Sequence, residues 1–160
     1  MKILFLHGME SKPGGSKAKF LKEAGYEVMN PALPRNDFEL SVKIAQDTID
    51  TESPDLIVGS SRGGAVAMSV STRGAPLILI APAWQRFMSV QQLGEFKIRL
   101  DNQKTIILHS DNDDVVLPED SNQLESMYGI KKICVGKNHR MSDDEALEAL
   151  LDTAKWLTKS

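Results

Sequence analysis

The chain has 160 residues, of which 41% are hydrophobic and 26% charged, and its formal net charge is −3. That size and composition describe one globular domain over 1–160 and exclude a fibrous or disordered chain. Lys and Arg are scattered along a mildly acidic chain, so no basic field is offered to a polyanion and no nucleic acid is expected as a partner.

In chain order, the first apolar run is Ile3 to Leu6, a short strand leading into His7-Gly8-Met9. The run is too short for a secretory leader, and no stretch approaches the roughly 20 apolar residues of a membrane span. A cytoplasmic protein without a membrane partner is expected. The segment from Gly8 to Lys17 ends in Gly14-Gly15-Ser16-Lys17, with the lysine after the serine, the reverse of the phosphate-binding G-x-x-x-x-G-K-[ST] order. Nucleotide binding is therefore a weak reading.

Tyr26 to Met29 reads as a second strand, and Phe38, Val42, Ala45 and Ile49 recur at helical spacing. Further strands are expected at Leu56 to Val58, Leu77 to Ile80, Thr105 to Leu108 and Ile130 to Val135. Between the fourth and fifth, Ala81 to Lys104 carries Trp84, Phe87 and Met88 and then Phe96-Lys97-Ile98-Arg99-Leu100, which alternates like a half-exposed strand; a small flap is expected. The lone Cys134, in Ile133-Cys134-Val135, reads as a small buried hydrophobe in a reducing compartment. Ser142-Asp143-Asp144-Glu145 fits a capping box ahead of Leu147, Leu150, Ala154 and Leu157, so these acids read as helix punctuation.

Most runs are continuously apolar, as in a sheet covered on both faces. Their alternation with helices predicts an α/β three-layer sandwich: a mostly parallel sheet of about six strands, right-handed crossovers and no large cap. In such a sheet the chemistry lies beyond the carboxyl ends of the strands. There Gly59-Ser60-Ser61-Arg62-Gly63-Gly64 follows a strand and precedes the helical Ala65-Val66-Ala67-Met68. This is the G-x-S-x-G elbow, a turn too sharp for flanking side chains that presents the serine oxygen above the sheet.

Ser61 is the candidate nucleophile. Among the histidines His7, His109 and His139, the last follows the final strand on a loop able to reach it and is the favoured base, while His7 reads as turn-stabilising. After the fifth strand, His109-Ser110-Asp111-Asn112-Asp113-Asp114-Val115-Val116-Leu117-Pro118 supplies the orienting acid. Asp111 or Asn112 suits an Asx-turn; Asp113 and Asp114 both remain candidates on local physics. The backbone N–H groups of Met9 and Arg62 are the expected oxyanion hole. Trp84 and Phe87 are candidates for an apolar pocket wall. The Arg62 side chain is expected either to meet an anionic group or, preferably, to form a surface ion pair.

Together the His-Gly loop, the elbow, the Asp-x-x-[Val/Leu]-Pro pattern and the late Gly-x-x-His resemble the α/β-hydrolase superfamily over nearly the whole chain. The likeness is greatest to small, lidless carboxylesterase-like members, including the retinoblastoma-binding-protein-9-like group. The resemblance implies that the second aspartate of the Asp-Asp pair, Asp114, is the acid, with Asp113 as the alternative. It also implies a Ser61–His139–Asp114 triad cleaving small soluble esters through an acyl-enzyme, without metal or organic cofactor. Thioester or lactone hydrolysis, or a non-catalytic binding module on the same fold, are the competing readings. Unlike most such proteins, the chain shows no initial antiparallel strands.

Overall fold

The computed structural model describes residues 1–8, 14–88, 98–100 and 103–159. Along the chain run β1 (Lys2–Leu6), α1 (Ser16–Glu23), β2 (Glu27–Met29), α2 (Phe38–Glu52), β3 (Leu56–Ser60) and α3 (Arg62–Ala67). They are followed by β4 (Leu77–Ile80), α4 (Trp84–Phe87), β5 (Thr105–His109), α5 (Pro118–Tyr128), β6 (Lys131–Cys134) and α6 (Asp144–Leu157). The expected strands all form, with ends no more than two residues from those of their apolar runs.

The strands make a six-stranded sheet in the order β2-β1-β3-β4-β5-β6. Every neighbouring pair is parallel. Alternate strand residues point to opposite faces. Leu4, Leu6, Ile57, Leu77 and Leu79 join the core beneath α2, α3, α4 and α5. Ile3, Phe5, Val58, Ile78 and Ile80 join the core beneath α1 and α6. Each such side chain removed from water contributes about 1.5–3 kcal/mol, which is why the central strands read as unbroken apolar runs.

The two edge strands differ. β2 and β6 are only partly buried, and Cys134 is exposed on β6 rather than buried. Its thiol pKa is raised, first by a hydrogen bond with Asp111 and then by desolvation.

Helix ends follow local chemistry. Asp37 caps α2 by accepting from Leu40 N–H at 2.9 Å. α6 is capped by Asp143, which accepts from Ala146 N–H, rather than by Ser142. The register of the expected capping box is thus one residue late, and the Ser142 hydroxyl instead lies 3.0 Å from that of Ser16 on α1. No helix among the described residues is long and apolar enough to cross a membrane. Of the expected flap, Phe96 and Lys97 lie outside the described residues, and Ile98 to Leu100 form no strand.

Because the sheet is parallel, the carboxyl ends of β1, β3, β5 and β6 share one edge. The loops leaving them border an open cleft of about 1460 Å³.

Candidate active site

The turn from β3 to α3 is built by glycines at two contacts. A Cβ on Gly59 would lie 2.5 Å from the carbonyl oxygen of Gly63, and one on Gly63 would collide with the carbonyl of Leu6 at the end of β1. With both absent, the chain turns sharply enough for Ser61 to adopt φ 56°, ψ −115°. A non-glycine residue in that region stores about 1–3 kcal/mol of backbone strain, which the surrounding contacts sustain. Ser61 is held by its N–H donating to Ile80 carbonyl at 2.8 Å, and its carbonyl accepts from Gly64 and Ala83 N–H.

From this perch Ser61 Oγ lies 3.0 Å from His139 Nε2. His139 Nδ1 lies 2.7 Å from Oδ2 of Asp113. A carboxylate accepts only, so Nδ1 carries the proton and Nε2 offers its lone pair to the serine hydroxyl. The carboxylate beside the imidazole is therefore that of Asp113, and the assignment of the acid to Asp114 is corrected. Asp114 is exposed at the cleft wall.

The backbone decides between the two. Oδ1 of Asp113 accepts from the N–H groups of Val115 and Val116 at 2.9 and 2.8 Å, an Asx-type closure of the loop that turns its side chain inward. Oδ2 also accepts from His109 Nε2 at 3.0 Å. The Asp113 side chain is 0% exposed, so these donors replace water. Ser110 joins the acid loop to the histidine loop, donating to Gly136 carbonyl at 2.9 Å.

His109 is the residue that sequence reasoning missed. Fully buried at the end of β5, it donates through Nε2 to Asp113 and to Val116 carbonyl, and Nδ1 lies 2.6 Å from the Ser121 hydroxyl. Burial lowers its pKa below 6.5, opposed by Val116 carbonyl and Asp113, and the network fits the neutral ring. The spacing of four residues from His109 to Asp113 is the signal that could have paired them.

The expected turn role of His7 matches its bonds. Nε2 accepts from Leu33 N–H at 3.0 Å and Nδ1 donates to Gly8 carbonyl at 2.9 Å.

Arg62 departs from expectation, for it is 2% exposed, and among the described residues it makes no surface ion pair. Nη2 donates to Pro34 carbonyl at 2.7 Å and to the Ser41 hydroxyl at 3.1 Å, and the guanidinium carbon lies 5.5 Å from the Phe38 and Phe87 ring centres. Desolvation lowers its pKa, with the charge of Asp37 opposing. The side chain thus braces the elbow against α2 and the loop after β2. As the first residue of α3, Arg62 has a backbone N–H with no carbonyl one turn earlier in its helix, and it borders the cleft. Met9, the other expected oxyanion donor, lies outside the described residues.

Of the candidate wall residues, Phe87 lines the cleft, stacked on Phe38 with centroids 5.6 Å apart. Trp84 does not line it; it lies in the core, with Nε1 donating to Asp120 carbonyl at 2.9 Å. Among the described residues no cluster of His, Cys, Asp or Glu has the geometry of a metal site.

No protein-family description and no curated protein matches the chain. Solved structures do. A protein of Agrobacterium vitis S4 superposes with TM-score 0.78 at 16% identity, covering 99% of this chain and 88% of its own. The chain has the α/β-hydrolase fold. Alpha/beta hydrolase domain-containing protein 10 from mouse aligns with TM-score 0.73 at 18% identity, covering 98% of this chain and 88% of its own. Est1E from Butyrivibrio proteoclasticus gives 0.72 at 18%, covering 97% and 85%.

Proposed function

We propose that the protein is a serine hydrolase that cleaves carboxylic esters of small substrates. The observation that carries the reading is the hydrogen-bonded chain from Ser61 Oγ through His139 to Asp113, with links of 3.0 and 2.7 Å. Three groups aligned in this way match the requirements of nucleophilic acyl transfer. The strained backbone of Ser61 points the same way.

Ser61 Oγ attacks the ester carbonyl as His139 Nε2 takes its proton. Asp113 keeps the ring oriented and stabilises the imidazolium. The tetrahedral oxyanion is received by the Arg62 N–H, with the Met9 N–H as the second donor expected from the sequence; such donors are worth about 3–4 kcal/mol each. The C–O bond to the alcohol then breaks, His139 returns the proton to the leaving oxygen, and an acyl-Ser61 ester remains. Water attacks that ester, again with its proton passing through His139, and the carboxylic acid departs while Ser61 is restored. Thioesters and lactones would pass through the same atoms.

A fluorophosphonate probe should label the wild type and spare Ser61→Ala, and turnover of short p-nitrophenyl esters should vanish with the label. Equal labelling of both proteins would remove Ser61 as nucleophile. Relative rates on matched ester, thioester and lactone substrates decide the bond cleaved.

A further inference from the structure

The cleft beside Ser61 is lined by Lys17, Arg62, Arg86 and Arg140 against two carboxylates, Asp114 and Asp120, and the Arg62 guanidinium is buried against Pro34 and Ser41. Arg86 lies over the Phe87 ring. The segments that carry Lys17 and Arg140 meet: Lys17 Nζ donates to the backbone carbonyl of Arg140 at 2.7 Å, across 123 positions of sequence. Among the described residues, neither Lys17 nor Arg140 has a carboxylate partner, whereas Lys2, Lys19 and Arg73 do. Burial and the nearby Arg140 charge bring the Lys17 pKa down to about 8. Two like charges lining one cleft repel each other in the empty protein, and an anion bound near both offsets that repulsion.

The surroundings suit an anion. Lys17 stands in the first turn of α1, which contains no acidic residue. The hydroxyls of Ser16 and Ser142 lie 3.0 Å apart, and both residues line the same cleft. Arg140 directly follows His139, so this cationic wall adjoins the group that handles the reacting proton.

We infer that Lys17 and Arg140, aided by the Ser16 and Ser142 hydroxyls, form a subsite for a carboxylate or phosphate carried by the substrate, making the preferred substrate an anionic ester. The inference names the substrate class for the site proposed above and so rests on that hydrolase reading. Neither Phe87 nor any other apolar residue of the cleft offers an anion a partner; the charged end is assigned to this wall and the apolar part of the substrate to the Phe87 side.

The test compares mono-p-nitrophenyl glutarate with the neutral p-nitrophenyl valerate at low salt. The wild type should favour the anionic ester in kcat/KM by about tenfold or more, and the K17Q/R140Q variant should lose most of that ratio, as expected for charge-assisted contacts. The charge-conserving K17R/R140K variant should retain a preference for the anion, which separates loss of charge from damage to the fold. A ratio that is the same in wild type and K17Q/R140Q overturns the subsite. If neither ester is turned over, calorimetric titration of glutarate and of inorganic phosphate onto Ser61→Ala reads the subsite apart from catalysis. Saturable, salt-sensitive binding that disappears in K17Q/R140Q supports it, and the tighter of the two ligands names the anion. Equal binding to both proteins, or none, overturns it.

Discussion

His109 and His139 reach the same oxygen, Oδ2 of Asp113, at 3.0 and 2.7 Å, but only His139 continues to Ser61. One imidazole is fully buried and also bonds the Val116 carbonyl and the Ser121 hydroxyl; the other is 19% exposed in its side chain and connects the carboxylate to the cleft. Asp113 is thus gripped from its own strand end while it orients a residue on another loop.

Asp113→Asn should lower kcat by about 10³–10⁴-fold while leaving the fold intact, because an amide at that position favours the wrong His139 tautomer. Asp114→Asn should cause a far smaller loss, since Asp114 is exposed. Steady-state kinetics on one chromogenic ester checks both, and an inverse ranking of the two variants would return the role to Asp114.

His109→Phe removes a donor from Asp113 and leaves the Ser121 hydroxyl without its ring partner. The expected cost is about 1–3 kcal/mol in urea unfolding, the usual penalty for stranding buried polar groups. Activity should fall as well, through kcat more than KM, because Asp113 loses definition rather than the substrate losing a contact.

Stability should decline as pH drops below 6.5. Burial holds the His109 pKa below that ordinary value, so between the folded and unfolded pKa values the unfolded chain binds more protons and unfolding is favoured by acid. The contribution is complete above pH 6.5 and is lost as pH falls toward the folded pKa. Denaturant midpoints at pH 7.5 and 5.5 measure it, and the difference should shrink in His109→Phe. A pH-independent wild type would contradict a neutral, buried His109.

Phe87→Ala should alter acyl-chain-length preference, because Phe87 lines the cleft. Trp84→Ala should instead cost about 3–5 kcal/mol of stability, as expected for emptying a core site. Chain-length profiles alongside unfolding curves distinguish the two residues.

Gly63→Ala should fail to fold or lose most of its stability, since the new methyl meets the Leu6 carbonyl. Gly74→Ala, where a Cβ meets nothing within 4 Å, should cost only the strain of its positive φ. Expression and melting temperature of the pair check this.

The strands and the elbow were legible because their signals are local: an apolar run between turn residues, and glycines where the backbone closes on itself. Asp113 was not separable from Asp114, since the choice depends on which side chain the Val115 and Val116 N–H groups capture, a matter of loop closure. Arg62 was misjudged because its partners, Pro34 and Ser41, lie more than twenty residues away, and its exposure depends on where α2 docks. Cys134 was misjudged for a similar reason: the sequence of β6 resembles that of a central strand, but the strand order puts it at the edge. The pairing of Lys17 with Arg140 needed the fold outright.

The Ser110 hydroxyl, which also accepts from Asn112 N–H at 3.1 Å, acts as a latch between two loops that share no sequence neighbourhood. Lifting the loop after β6 away from the loop after β5 would break this bond as well as the one between His139 and Asp113. The loop bearing His139 is thereby tied to the loop bearing Asp113 at two points, through a side-chain hydroxyl and through the imidazole itself.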